Sequence, residues 1–187
     1  MSEIQCPSGF LALLHSVKSQ PLVLWEKKVR SGRVKRVTDE DLLSHALEML
    51  APKSATTSIR CPSNPEILDD KEVRRRFCIS TFFAVAEVKP FLCKLPLLLE
   101  EGWNQITLPL HETVRKAYRT NYLETLRVQI YSNCRLGRVY FSDRPYSEEE
   151  LPKEFRLYQH CIKIRSSKVV NLSSPPSPTV DQAALYN

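Results

Sequence analysis

Cysteine and histidine are the residue types in this 187-residue chain that could bind a metal or act as nucleophile and base. They are scattered singly along the sequence, as Cys6, Cys61, Cys78, Cys93, Cys134, Cys161, His15, His45, His111 and His160. No Cys-x-x-Cys pair occurs and no histidine stands at zinc-ligand spacing, so the pattern predicts no metal site. Because we expect no signal peptide, we also expect free thiols rather than disulfides.

Motifs that would support catalysis are missing as well. The sequence contains no Gly-x-Ser-x-Gly, P-loop, Gly-x-Gly-x-x-Gly or His-Glu-x-x-His motif. The adjacent carboxylates of Asp69 and Asp70 would point to opposite faces of a strand, so they could not act on one substrate atom. No apolar run approaches the roughly 18 residues of a membrane helix. We therefore expect a soluble intracellular protein that is not an enzyme and needs no cofactor.

The strongest chemical signal is positive charge, in a chain whose formal net charge is +6. Residues 27–36 read KKVRSGRVKR, and we call their six cations the basic ribbon: Lys27, Lys28, Arg30, Arg33, Lys35 and Arg36. In a second cluster, strand alternation would place Arg74 and Arg76 on one face and Arg75 on the other. Such runs are typical of solvated strands, nuclear localisation signals, nucleic-acid contacts or docking faces for acidic proteins. The residues alone leave these alternatives open.

Apolar residues that alternate with a period of two predict the strands that must position these charges. The alternation is clearest in residues 74–81, 104–110, 125–133 and 136–143. Short strands separated by turn residues favour a mainly β fold, an antiparallel β-sandwich. Trp25 and Trp103 each precede a predicted strand, where a large ring usually closes the core of a sandwich.

Helical signals are few. An apolar stripe predicts a short helix over residues 111–119, and Ser147 and Glu150 have the spacing of a capping box at the start of a single further turn. Residues 38–50 combine a capping threonine with leucines at helical spacing, so their periodicity alone predicts helix. Residues 166–187 are rich in serine and proline, which predicts a disordered tail.

Long stretches of the chain resemble one known family. These are SGFLALLHSVKSQPLVLWEKKVRSGRVKRVTDEDL, LDDKEVRRRF, VKPFLCKLPLLLEEGWNQI and RKAYRTNYLETLRVQIYSNCRLGRVYFSDRPYSEEELPKEF. Across most of residues 8–158 they are similar, nearly residue for residue, to cilia- and flagella-associated protein 20 and its close relatives. The resemblance implies a jelly-roll-like β-sandwich at the inner junction of axonemal doublet microtubules, where the A-tubule wall joins the B-tubule.

The resemblance also implies a role and partners. The role is that of a non-enzymatic structural protein that supports cilium assembly, length and motility. The partners are tubulin and the Parkin co-regulated protein, or another inner-junction protein. The implied locations are the axoneme, basal body and centriole, within the cytoplasm and cytoskeleton, and also the nucleus.

Tubulin is strongly acidic in its wall and in its C-terminal tails. The basic ribbon, with Arg74 and Arg76, is therefore the expected tubulin contact set. The alternative is a nuclear nucleic-acid-associated factor whose ribbon contacts phosphates. No RNA-recognition signature or stacked aromatic platform supports that alternative.

The chain departs from the family in two places. Near residues 65–68 it lacks roughly two dozen family residues, enough for about two strands of ordinary length. The sequence after Gln159 also differs, and a shortened isoform or a divergent paralogue would explain both differences. We expect one β-sandwich domain over residues 1–165. The family has strand near residues 47–50, and we follow it there against the helical periodicity, because strand pairing often overrides local pattern.

Overall fold

A computed structural model describes residues 9–61, 67–147, 149–151 and 165–167. Within these residues the fold is mainly β, as predicted, with one α-helix, α1 (Leu110–Tyr118), and one 3-10 turn, Ser54–Thr56. In chain order the strands are β1 (Phe10–His15), β2 (Glu26–Val29), β3 (Arg33–Asp39), β4 (Ser44–Leu50), β5 (Thr57–Cys61), β6 (Ile67–Asp69), β7 (Arg74–Ser80), β8 (Glu87–Lys89), β9 (Leu92–Pro96), β10 (Asn104–Ile106), β11 (Tyr122–Thr125), β12 (Val128–Tyr131), β13 (Cys134–Leu136), β14 (Arg138–Ser142) and β15 (Arg165–Ser167).

The chain divides into two compact units. The first comprises Met1–Glu66 and Thr125–Lys163, and the second comprises Ile67–Glu124 and Ile164–Asn187. The expectation of a single domain over residues 1–165, with a family segment missing near 65–68, stays a prediction. Residues 62–66 lie outside the described part of the chain.

Antiparallel sheets build the first unit, in the orders β1–β14, β12–β5–β2 and β13–β4–β3. Their apolar side chains share one core, made of Leu14, Trp25, Leu47, Met49, Ile59 and Cys61. The Nε1 of Trp25 donates a hydrogen bond to the carbonyl of Leu13 at 2.8 Å, so the buried ring keeps its polar group satisfied. The predicted core role of Trp25 is confirmed, whereas Trp103 is only half-buried.

Strand β4 decides the conflict over residues 38–50. Periodicity alone predicted helix, which is wrong, and the strand implied by the family is confirmed. The pattern misleads because β4 lies between β3 and β13 and is buried on both faces. Leu47 and Met49 enter the core, while Glu48 is buried beside arginines on the opposite face. A strand buried on both faces loses the period-two signal.

The second unit contains a five-stranded sheet in the order β11–β6–β7–β9–β8. Its β7–β9 pair is parallel, as is the separate β10–β15 pair, so the expectation of antiparallel pairing fails there. Helix α1 confirms the helix predicted over 111–119. It ends at Tyr118 and is followed by Arg119, whose φ of 58° is left-handed. Ile106 is exposed rather than inside, contrary to the alternation predicted for residues 104–110.

The predicted capping box is present. The backbone N–H of Ser147 donates to Glu150 Oε2 at 2.9 Å, and the N–H of Glu150 donates back to Ser147 Oγ at 3.4 Å. Buried Leu151 follows. Of the segment predicted as a tail, residues 166 and 167 form the end of β15, and residues 168–187 lie outside the described part of the chain.

Candidate functional site: the basic ribbon

Two different sheets carry the basic ribbon. Lys27 and Lys28 belong to β2, which pairs with β5, whereas the C-terminal half of the ribbon belongs to β3, which pairs with β4. Both β2 and β3 are terminal strands of their three-stranded sheets. Arg30 lies in the connection between them, and all six ribbon side chains are exposed. The structure therefore places the six predicted residues on two edge strands and the connection between them. Within the strands, Lys27 and Lys28 point to opposite faces, as do Lys35 and Arg36.

Gly32 allows the chain to pass from one sheet to the other. Its φ is +113°, a conformation that favours glycine. A Cβ added there would lie 2.1 Å from the carbonyl oxygen of Leu50 and 2.8 Å from the Cα of Ala51. The close approach of these two backbone segments sets where β3 begins against β4.

Part of the ribbon is engaged within the chain. Arg33 Nη2 lies 3.4 Å from Glu48 Oε2, and Arg36 Nη2 donates to the carbonyl of Val17 at 2.7 Å. Lys28 is close enough to Glu26 to help lower the pKa of that carboxyl, although the hydrogen bond from Arg60 is the main cause. Among the described residues, Lys27, Arg30 and Lys35 have no ion pair or side-chain hydrogen bond. These three cations are the most available to an external anion.

A charged network anchors β3 beneath the ribbon. Arg135 on β13 lies 3.0 Å from Glu48 Oε1 and 2.9 Å from Asp39 Oδ2, so it joins β13 to both β4 and β3. Hydrogen bonds from Arg135 and, less strongly, from Arg33 lower the pKa of Glu48, although burial acts in the opposite direction. The negative charges of Glu48 and Asp39 are thus paired with arginines inside the first unit. The exposed surface of the ribbon therefore remains positively charged.

The arginine cluster on β7 alternates as predicted. Arg74 and Arg76 are exposed, whereas Arg75 turns to Asp69, with 2.9 Å between Nε and Oδ2. The guanidinium of Arg75 also lies 4.3 Å from the centre of the Tyr118 ring, a cation–π distance. Arg74 and Arg76 belong to the second unit and the ribbon to the first.

Asp69 has a structural role that sequence reasoning missed. Its side chain is fully buried and accepts hydrogen bonds from the backbone N–H groups of Lys71 and Val73, from Arg75 and from the hydroxyl of Thr120. Burial alone would raise the pKa of Asp69, but these bonds outweigh it and lower the pKa. An aspartate often accepts hydrogen bonds from backbone N–H groups a few residues later in a turn. The turn at Asp69 could therefore have been predicted from the sequence.

Metal and thiol chemistry receive no structural support in the described residues. No group of three histidine, cysteine or acidic side chains there is arranged to hold a metal ion. Cys61, Cys78, Cys93 and Cys134 are free, and burial raises the pKa of the Cys93 and Cys134 thiols to about 11. Buried thiols with raised pKa values are poor nucleophiles. No helix in the described part of the chain is long and apolar enough to cross a membrane.

Comparison with known proteins identifies the family. The family model described as the CFA20 domain matches residues 1–66 and 65–159, two stretches that meet where the missing segment is predicted. Cilia- and flagella-associated protein 20 of Chlamydomonas reinhardtii is 46% identical, with 81% of this chain and 93% of the relative covered. The proteins of the same name from Paramecium tetraurelia and Caenorhabditis elegans are 45% and 42% identical over 81% of this chain, with 93% and 87% of the relatives covered. The resemblance seen in the sequence is thus confirmed, and the chain belongs to the CFA20 domain family.

Proposed function

We propose that this chain is a structural protein of the ciliary and flagellar axoneme, without enzymatic activity, that binds tubulin at the inner junction of doublet microtubules. The names of its relatives associate them with cilia and flagella. The observation that carries the tubulin contact is the basic ribbon, six exposed cations within ten residues on two edge strands and the connection between them. An acidic partner is the natural counterpart of such a surface.

The free energies involved define what the ribbon can do. Each exposed ion pair contributes only about 0.2–1 kcal/mol, and salt screens it. The ribbon therefore steers and orients the chain on an acidic wall, while apolar contacts elsewhere hold the register. Lys27, Arg30 and Lys35 are the principal contacts in this proposal. Arg33 and Arg36 contribute less, because Glu48 and the Val17 carbonyl already occupy them in part.

The rest of the proposal follows from the family. Arg74 and Arg76 form a second tubulin contact, and the Parkin co-regulated protein or another inner-junction protein is a neighbour. The chain acts in the axoneme, the basal body and the centriole, where it supports cilium assembly, length and motility. The shared family and the exposed arginines of β7 support these assignments.

A matched pair of charge reversals tests the ribbon. The double variant Lys27→Glu/Lys35→Glu removes available ribbon cations, and Lys71→Glu/Arg115→Glu makes the same net charge change at exposed sites of the second unit. Co-pelleting with doublet microtubules should weaken about tenfold for the ribbon variant and little for the control. Wild-type binding should also weaken as salt rises. Equal binding by both variants would contradict the assignment of the ribbon to tubulin.

The same variants separate tubulin from nucleic acid. A nuclear factor that uses the ribbon on phosphates would lose affinity for duplex DNA or RNA in the ribbon variant, with a steep dependence on salt. Its microtubule binding would remain unchanged. The axonemal proposal expects the reverse pattern.

A further inference from the structure

Strand β8 leaves one edge of the second unit's sheet open. In the order β11–β6–β7–β9–β8, this three-residue strand pairs with β9 and is terminal among the described strands. Val88 and Lys89 are both exposed. The outer backbone N–H and C=O groups of a terminal strand can pair with a strand of another chain.

Large apolar side chains are exposed in the chain segments that precede and follow β8. Phe82 and Val85 in the preceding loop are 84% and 69% exposed, Phe91 in the following turn is 68% exposed, and Val88 itself is 44% exposed. Lysines and arginines, in contrast, guard the edges formed by β2 and β3, which is a common protection against strand addition. Exposed apolar side chains next to an open strand edge are typical of a surface that another protein covers.

The strand is complementary to itself. Its sequence is Glu87-Val88-Lys89, so an antiparallel copy related by a two-fold axis at Val88 places Glu87 opposite Lys89 of the second copy, and the reverse. Val88 pairs with buried Cys93 in the β8–β9 register and so lies on the interior face of the sheet. Two Val88 side chains would then meet and continue that apolar face from one copy to the next.

We propose that the chain forms a symmetric dimer through antiparallel pairing of β8 with β8 of a second copy. Within one chain, Glu87 lies 2.9 Å from Lys89 and 2.7 Å from Lys94. In the dimer Glu87 keeps Lys94 and exchanges its own Lys89 for that of the second copy, so no charge loses its partner. Exposed Phe82, Val85 and Phe91 lie in the chain segments that enter and leave β8 and are available to add apolar contacts. Two-fold symmetry closes the assembly at two copies.

Complementary single reversals test this pairing between copies. Glu87→Lys places lysine opposite lysine in its own dimer, and Lys89→Glu places glutamate opposite glutamate. Sedimentation velocity over a range of concentrations should show a wild-type dimer, and each variant alone should associate about tenfold more weakly. An equimolar mixture of the two variants should dimerise again, because unlike charges face each other only across the two copies. Mixing cannot restore a pair within a single chain.

Controls address folding and other edges. Glu124→Lys reverses an exposed charge on β11, the opposite edge of the same sheet, and should leave the dimer unchanged. Phe91→Ser, at an exposed turn residue, should weaken the dimer without altering the circular dichroism spectrum. A wild-type chain that stays monomeric, open-ended aggregates in place of a dimer, or a mixture that fails to associate would each overturn the proposal.

Discussion

Lys35 stands directly opposite Glu48 in the register of β3 and β4, yet two arginines bind the carboxylate of Glu48 instead. Arg33 approaches one oxygen at 3.4 Å, and Arg135 approaches the other at 3.0 Å. Lys35 is consequently left facing solvent with its charge available. The ribbon thus contains cations that stabilise the sheet and cations that can meet a partner.

Lys35→Ala and Arg33→Ala should separate these two roles. Lys35→Ala should weaken microtubule binding about threefold, since one exposed ion pair is lost, and should change stability by less than about 0.5 kcal/mol. Arg33→Ala should lower the melting temperature more, because it removes a contact of buried Glu48. Co-pelleting and thermal unfolding measure the two effects. A larger stability loss in the lysine variant would contradict this division.

Gly32→Ala should destabilise the first unit. The new Cβ would meet the Leu50 carbonyl oxygen at 2.1 Å, at a φ of +113° that alanine rarely adopts. We expect a loss of about 2 kcal/mol or more in the free energy of unfolding. Gly102→Ala is the matched control, since Gly102 has a φ of +90° but no atom within 4 Å of the added Cβ. It should cost only about 1 kcal/mol, and equal losses would show that backbone strain alone matters.

Asp69→Asn should destabilise the second unit strongly. The substitution removes the carboxylate that pairs with Arg75, at a site where Asp69 is fully buried. Breaking such a buried pair costs about 3 kcal/mol or more, measured by urea unfolding. Asp70→Asn serves as control, because the side chain of Asp70 is exposed and accepts a hydrogen bond from Asn121 at 2.7 Å. That variant should change stability by less than about 0.5 kcal/mol.

Acid should unfold the wild-type chain partly through Asp69. Its pKa in the folded chain lies below the ordinary value of 3.8, so the charged form stabilises the fold. This contribution is complete above the ordinary value and is lost as the pH falls through the folded pKa. Below about pH 5, and down through the folded pKa, wild-type stability should therefore fall more steeply than that of Asp69→Asn, which has no carboxylate to protonate. Parallel pH curves would argue against a lowered pKa.

Insertion of the family's segment between residues 65 and 66 should raise the melting temperature. If about two strands are absent, neighbouring strands lack ladder partners that the insertion would restore. Scanning calorimetry of the two forms measures the difference. The proposed β8 dimer should persist in both forms, because β7 and β9 separate β8 from β6, the strand that follows the insertion. Equal melting temperatures would show that the chain tolerates the shorter form.

Local pattern made much of the fold and site predictable. Strand alternation correctly separated Arg74 and Arg76 from Arg75, because neighbouring strand residues always point to opposite faces. The capping box of Ser147 and Glu150 was readable because its partners are three residues apart. The charge of the ribbon was visible directly, since lysine and arginine runs remain exposed.

The sequence by itself determined the β character, the short helix and the positive surface, because these depend on residue type and on neighbours within a few positions. Only the tertiary structure decided that residues 44–50 form a strand, that β2 and β3 join different sheets, and that Asp69 meets Thr120, 51 residues away. It also decided which ribbon cations bind groups within the chain and which remain available to a partner. These outcomes depend on partners distant in sequence, whose pairing free energy exceeds the small local preferences of each segment.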